Sequence, residues 1–481
     1  MQWATAIRTH RQRTTPNTRA NRRAAARERE TVKTRSRYAA VLSILLLLSS
    51  LFLQVDANAA KAKPIVQPVS EDGKPDRIVL GWTADPATTQ AVTWRTEHKI
   101  EDPQAQVAPM DADPKFDSKA VTVKAQTQAV DIGDKIVYHH TANFEGLSPD
   151  ADYSYRVGDC HAWSEWNVFR TASDKPTPFR FIYLGDVQTP ASLWSRSVRT
   201  AFRDAPDARF ILYAGDIIND GFNDRLWEEW SYGLGFIPRL IPTLACPGNH
   251  DVHRSGRAPS VSDIWRGEFA LPLNGPKGID FLAEEAYYVD YQGARIISLD
   301  SNLIENGKSA DSKTAKAQEA ELAWLDDVLQ GADSRWTIVV HHHPIYSVGS
   351  QRDNEELRAL LMPIYDKHHV DLVLQGHDHY YGRTQKIREG KIVSPEEHGT
   401  IYAVSMSGAK MYKKNAKFEP LMAVMRGDTQ MFQVIEVDGA RLLYEAYSVA
   451  GERVDAFELH KEPGAPTKYT FLTADQDTSK K

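Results

Sequence analysis

Two rhythms of apolar and polar residues divide the chain. From about Pro64 to Ser173 they alternate in short runs: R-I-V-L-G-W (77–82), Q-A-V-T-W-R-T (90–96), A-V-T-V-K-A (120–125), V-Y-H-H-T-A-N-F (137–144), Y-S-Y-R-V (153–157) and W-N-V-F-R-T (166–171). A period of two at regular spacing predicts a β-sandwich. From Phe179 the runs become more continuously apolar: F-R-F-I-Y-L, R-F-I-L-Y-A, A-R-I-I-S-L, W-T-I-V-V and D-L-V-L-Q. Each ends in a polar residue or is followed by one within two positions. Between them lie stretches of helical period, one at 317–329 with Leu322, Leu325 and Leu329 on one face, another at 354–365. Strand and helix in alternation predict an α/β or layered-sheet domain. Ligands of such sheets sit beyond the carboxyl ends of the strands. From about Ile401 the pattern returns to strand pairs, with a hairpin turn at Asp438-Gly439.

The first 59 residues follow neither rhythm. Met1 to Tyr38 carry ten Arg and one Lys against two Glu; an uncharged apolar run, Ala39 to Leu53, follows, then Ala57-Asn58-Ala59. A basic stretch, a short apolar stretch and a small-x-small site predict a secretory signal over 1–59 and an exported protein, periplasmic, extracellular or at the cell surface. The apolar run is shorter than the ~20 residues of a membrane span. Membrane association is expected only if this segment stays uncleaved as an anchor. The whole chain has a net charge of −6; residues 1–59 carry eleven basic and three acidic residues, a surplus of 8, which leaves −14 for the remainder. Nucleic-acid binding draws on a basic surface, so no such surface is expected. Cys160 and Cys246 are far apart in sequence and fall in different predicted domains. They read as separate small residues rather than a disulfide.

Five short motifs close apolar strands: Gly185-Asp186-Val187-Gln188, Gly215-Asp216-Ile217-Ile218-Asn219, Gly248-Asn249-His250-Asp251, Val339-Val340-His341-His342-His343-Pro344 and Gly376-His377-Asp378-His379. A single Gly-Asp at a strand end is equally a turn with a capping Asp. Five in succession are not explained as turns. Asp, Asn and His are ligands for Zn, Mn or Fe, and a carboxylate can bridge two ions. Two metals ~3.5–4 Å apart clamp the attacking and leaving oxygens of an in-line displacement. A hydroxide held between them is a nucleophile at neutral pH or below. A His outside the ligand set can then protonate the leaving alcohol.

The order and identity of these motifs resemble the metallophosphoesterase superfamily. The sandwich in front, the stretch H-H-T-A-N-F-E-G-L, and V-D-L-V-L-Q-G-H-D-H-Y-Y-G-R make the chain similar to the purple acid phosphatase branch. The likeness spans about residues 65 to 460. It implies a metallophosphoesterase-type layered β-sandwich flanked by helices at 178–462. An all-β fibronectin type III-like sandwich precedes it at 64–173, and a polar tail follows at 463–481. Gly146-Leu147-Ser148-Pro149 with Tyr153 and Tyr155 resembles the tyrosine-corner region of such sandwiches.

Carried over position by position, the resemblance makes Asp186 a ligand of the first of two metal ions (Fe, Zn or Mn). Asp216 bridges both ions. Asn249, His342 and His377 complete the second site, and His379 returns to the first. His250 contacts phosphate and donates a proton, with Asp251 orienting it. Two positions depart from the family. Asn219 stands where purple acid phosphatases carry the tyrosine whose phenolate binds ferric iron, so no tyrosinate band is expected and the first metal is expected to be divalent. Gln188 stands where many other superfamily members have a His ligand. Both amides are candidates for the first metal or for supporting its ligands. His253, His343 and Arg352 are candidate substrate contacts, while His341 alternates with His342 and reads as structural. Trp227 and Trp230 read as helix packing. The leading reading is an exported phosphomonoesterase acting on a small phosphorylated substrate by attack of a metal-bridging hydroxide. A phosphodiesterase or nucleotide hydrolase of the same fold is the first alternative, and a non-catalytic surface-binding protein the second.

Overall fold

The structure, a computed structural model, describes residues 74–188, 190–253, 259–305 and 312–472. The predicted export segment lies outside the described residues. Among them, no helix is long and apolar enough to cross a membrane.

Residues 76–170 form two four-stranded antiparallel sheets. Their inward positions, including Leu80, Val92, Trp94, Val107, Phe144, Tyr155 and Phe169, make one core, as period-two burial requires. The Tyr153 hydroxyl accepts the Ser148 N–H at 2.8 Å and pins the turn between two strands. Strands Gln104–Pro109 and Gln126–Asp131 add to the predicted set. The first alternates only over Gln104 to Val107, through the small Ala105, and the second has two apolar residues, both near its end.

The rest of the chain is built on two seven-stranded mixed sheets. In the first, strands Phe179–Leu184, Ile211–Tyr213 and Thr243–Ala245 run parallel, and four antiparallel strands between Met431 and Phe471 extend it. In the second, strands Ala294–Ser298, Trp336–Val340, Leu372–Gln375 and Ile401–Val404 run parallel. Alternation along these strands assigns two cores. Ile296, Ile338, Val340, Leu372 and Leu374 face the first sheet in the largest hydrophobic cluster. Ile297, Val339 and Val373 face helices Ser312–Gln330 and Glu355–His368 through Leu325, Leu329, Leu357 and Leu361. Both helices follow the predicted period. Residues 468–471, expected in a polar tail, instead form an edge strand on Arg453–His460. Cys160 is exposed and Cys246 buried, and both are free thiols.

The small sandwich docks through charge as well as apolar contact. Arg77 Nη1 donates to Asp224 Oδ1 at 2.7 Å and to Glu268 Oε1 at 2.9 Å. Arg95 bridges Asp76 and Asp224. Asp224 and Glu268 belong to helices Asp224–Leu234 and Asp263–Glu268, and Trp227, Trp230 and Trp265 pack beneath them, each at most 1% exposed. The two tryptophans of 224–234 are therefore packing residues, as the sequence indicates.

Candidate metal centre

Both sheets end their parallel strands at one edge of the sandwich, and the five motifs occupy the loops that leave those ends. Main-chain hydrogen bonds tie the loops together: Gly376 N–H to His342 O at 3.0 Å, Ala214 N–H to Leu184 O at 2.9 Å, and Ser407 N–H across to Gly185 O at 2.8 Å. The Tyr183 hydroxyl receives Gln375 N–H at 2.8 Å and fastens one sheet to the other below the site. Five residues of these loops take left-handed backbone: Asp186 (φ 50°), Gln188 (35°), Asp216 (50°), His377 (75°) and His379 (44°). Such conformations are uncommon away from glycine and gather at functional sites. Gly248 and Gly376 are required by proximity. A Cβ on Gly248 would lie 2.1 Å from Asp216 N, and one on Gly376 2.5 Å from Asp186 Oδ2.

Two groups of ligand atoms result. Asp186, Asp216 and His379 form one; His342, His343 and His377 form the other. Asp216 links them, with Oδ1 3.3 Å from His342 Nε2. Around His342 Nε2 also lie Asn249 Oδ1 at 3.2 Å and His377 Nδ1 at 3.0 Å. His379 Nε2 is 3.5 Å from Asp186 Oδ1. Ligand atoms in adjacent positions on one ion, each about 2.1 Å from it, lie about 3 Å apart. These separations fit a shared cation.

The second nitrogens support the same reading. His342 Nδ1 lies 2.8 Å from Ala214 O and His379 Nδ1 3.0 Å from Lys410 O. Donation to a carbonyl fixes the tautomer and leaves Nε2 as the lone-pair atom. Asp186 Oδ1 is buried without a hydrogen-bond partner among the described residues. The residues present therefore fit a two-metal centre.

Electrostatics point the same way. Burial pushes the Asp186 carboxyl up. Burial opposes ionisation of Asp216 too, but His342 and His250 hold it below the usual carboxylate range. Burial lowers His342, yet Asp216 and Asp186 outweigh it and raise the imidazole to about 10. His379 falls to about 3, through burial first and then the Lys410 charge. Here the His342 imidazolium compensates these carboxylates; a metal ion bound among them would displace its proton, free Nε2 as a ligand and take over that charge.

The other predicted residues are placed as follows. His250 lies at the cleft, Nε2 4.0 Å from Asp216 Oδ2. Its Nδ1 is 2.8 Å from the main-chain oxygen of Asn219. Asn219 itself is exposed. Its carbonyl thus meets the site by holding the His250 ring. Asp251 has a different task from the one expected. Its Oδ2 accepts N–H from Asp216 and from Gly248, each at 2.8 Å, so it clamps two ligand loops together. Burial, then the charge of Asp216, raises it to about 8.

His253 is exposed against the edge of Phe222, 5.0 Å between centroids, and does not line the cleft. His343 is buried with Nδ1 2.9 Å from Ser301 Oγ, which places it with the ligand groups rather than at a substrate surface. Arg352 does line the cleft, and donates to His377 O at 3.1 Å. His341 is buried against Tyr365, away from the ligands.

The cleft above the centre holds about 220 Å³ and is almost wholly polar. Lys410 and Tyr412 line it beside Arg352 and His250. Sequence reading did not single out either residue. They follow strand Ile401–Val404, the seventh parallel strand end at this edge, so the same carboxyl-end rule would have pointed to them. A larger cleft of about 680 Å³ lies along helix Glu355–His368 and contains none of the ligand candidates. The chemistry, not the volume, locates the site.

Comparison with known proteins agrees. Residues 157–381 match the calcineurin-like phosphoesterase family, and residues 75–171 match the purple acid phosphatase N-terminal domain. The chain is 26% identical over 329 residues to an uncharacterized protein of Mycobacterium tuberculosis, covering 63% of this chain and 60% of that one. It therefore spans about 60% of that relative's length. It is 23% identical over 377 residues to human acid phosphatase type 7, covering 70% and 75% of the two chains. In fold it is similar to a purple acid phosphatase from yellow lupin seeds, with a TM-score of 0.66 at 19% identity over 80% of this chain and 74% of that one. The chain therefore pairs a calcineurin-like metallophosphoesterase domain with a purple acid phosphatase N-terminal domain, as in the purple acid phosphatase-like branch of that superfamily.

Proposed function

We propose that the chain is a metal-dependent phosphoesterase that hydrolyses monoesters of small phosphorylated molecules. One observation carries this reading: Asp216, a member of one ligand group, stands 3.3 Å from His342 of the other, and His250 Nε2 lies 4.0 Å from the same carboxylate in a polar cleft. Two bound ions would supply Lewis acidity and a nucleophile at neutral pH. The chain's own residues supply the rest. Asn249, His342, His343 and His377 hold one side of the centre, and Asp186 and His379 the other. The Asn219 carbonyl keeps the His250 ring turned so that Nε2, across the cleft, can carry the proton to the leaving alkoxide. Arg352 and Lys410 give the small cleft the cationic rim that suits a phosphate dianion.

The test is hydrolysis of a chromogenic phosphate monoester beside the matching diester, by the full chain stripped of metal and reloaded in turn with Mn, Zn and Fe. The account expects metal-dependent turnover with the monoester preferred. A diester preference would assign the site to a phosphodiesterase. Silence on both, with metal bound, would leave the non-catalytic reading. Export is part of the proposal, supported by the basic and apolar runs of residues 1–59. Fractionation of the expressing cell would place the protein.

A further inference from the structure

We infer that Gln188 is a ligand of the first metal, through its amide oxygen, completing the group of Asp186, Asp216 and His379. The inference rests on the proposed two-metal centre and concerns how that centre is closed. Gln188 is 3% exposed and stands two residues beyond Asp186. Its φ of 35° is costly for a side chain of this size. Its main-chain N–H reaches Asp216 O at 3.3 Å. The amide Nε2 lies 3.0 Å from Asp216 Oδ2, and Oε1 is buried with no partner among the described residues. Asp186 Oδ1 is orphaned in the same way. Two buried oxygens without partners, within three residues of each other and beside a carboxylate, are what a cation would satisfy.

The amide is poised for this. Its terminal torsion is soft, and a half-turn exchanges oxygen and nitrogen. Oε1 would then sit near 3.0 Å from Asp216 Oδ2, the spacing of two ligand atoms on one ion. Without a cation two such oxygens repel, so the nitrogen faces the carboxylate. With one, the oxygen can. A neutral amide lends the first ion no charge, unlike the phenolate of a tyrosinate site. Two carboxylates, one imidazole and one amide suit a divalent ion. The first ion is therefore expected to be held less firmly than an ion on a tyrosinate site.

The same contact has a rival reading, in which Gln188 is only a hydrogen-bond donor that orients Asp216. The two roles separate on substitution. Glycine suits the left-handed backbone and deletes the amide, so Q188G removes either role without straining the loop. Glutamate keeps an oxygen but loses the donor. The measurement is the number of Zn ions per chain and their affinities, by chelator competition, with the visible spectrum of the Co(II) protein as a second readout. Wild type is expected to bind two ions. Q188G should weaken one of them at least about 10-fold, the scale on which site-supporting residues act, and leave the other unchanged. Q188E should bind both, with that ion held more tightly and a changed Co(II) spectrum. The inference is overturned if Q188G binds both ions as wild type does, or if Q188E loses affinity as Q188G does. Circular dichroism of the metal-free variants checks folding, and Q188E decides if Q188G is unfolded. Fewer than two ions in wild type would defeat the two-metal reading itself.

Discussion

His250 lines the cleft together with His377 and His379, and differs from the other imidazoles of the site in how far it is exposed. Its side chain is 28% exposed, against 2% or less for His342 and His379. A residue placed so, with its Nδ1 held by a main-chain carbonyl, is suited to proton transfer. His250→Ala is expected to lower kcat by about 10²–10⁴, the usual range for a positioned general acid, while metal content stays at the wild-type value. The loss should be larger for an alkyl phosphate than for an aryl phosphate with a good leaving group. Equal losses for both substrates would contradict the proton-donor role. At this scale the sequence was most legible for the ligands, because each motif carries its chemistry in contiguous residues such as Gly376-His377-Asp378-His379. It was least legible where the fold does the assembling. Lys410 and Tyr412 become site residues because strand Ile401–Val404 lies beside Leu372–Gln375, and only the end of that strand points to them. Asn219 and Asp251 were singled out, but their actual contacts, a carbonyl and two main-chain N–H groups, are not encoded in side-chain type.

At the scale of elements, the site depends on loops approaching closer than any side chain allows. Gly248 sets the loop carrying Asn249 against Asp216, with no room for a methyl group. Gly248→Ala is expected to abolish turnover and metal binding at the second group while the far-ultraviolet circular dichroism stays that of the folded chain. Retention of both ions by this variant would show that the loops can move apart without harm. Long, periodic elements were legible: helices Ser312–Gln330 and Glu355–His368 follow their leucine spacing. Helix Ala191–Asp204 was not singled out, although Trp194, Val198 and Ala201 lie on its buried face. Pro190 supplies no side-chain cap there, and polar residues dominate the other faces. The short strand Thr243–Ala245 is held by tertiary contact, with the Tyr287 hydroxyl taking Ala245 N–H at 3.0 Å and giving its own proton to Ala245 O at 2.9 Å. No three-residue pattern foretells that.

At the scale of the molecule, the small sandwich is joined to the larger, two-sheet domain by a buried cluster in which Arg77 serves two acids. Asp224 is held below the usual range: burial opposes ionisation, but Arg77 and Arg95 outweigh it. Glu268, wholly buried, is pushed up to about 7 by burial, which the Arg77 charge only partly offsets. A carboxyl whose folded pKa is raised binds its proton more readily in the folded state. Its contribution is full below the unfolded value near 4.5 and is lost as pH rises through about 7. Relative to Glu268→Gln, the wild type should therefore lose on the order of 3 kcal/mol of stability between these limits, at ~1.4 kcal/mol per pKa unit. Chemical denaturation of both proteins from pH 4.5 to 8 measures this difference. A pH-independent difference would show that Glu268 is ionised throughout.

The central claim, that one bridging carboxylate organises two metal ions for phosphoester hydrolysis, is tested most directly by titration. Metal-free full chain and its Asp216→Asn variant would each receive Zn or Mn while monoester turnover is followed. The account predicts that wild-type activity rises to a plateau at two ions per chain, and that the folded variant stays at least about 10³-fold below it, given the several kcal/mol that metal ions lend a developing charge. A wild-type plateau at one ion, or unchanged turnover in Asp216→Asn, would contradict it.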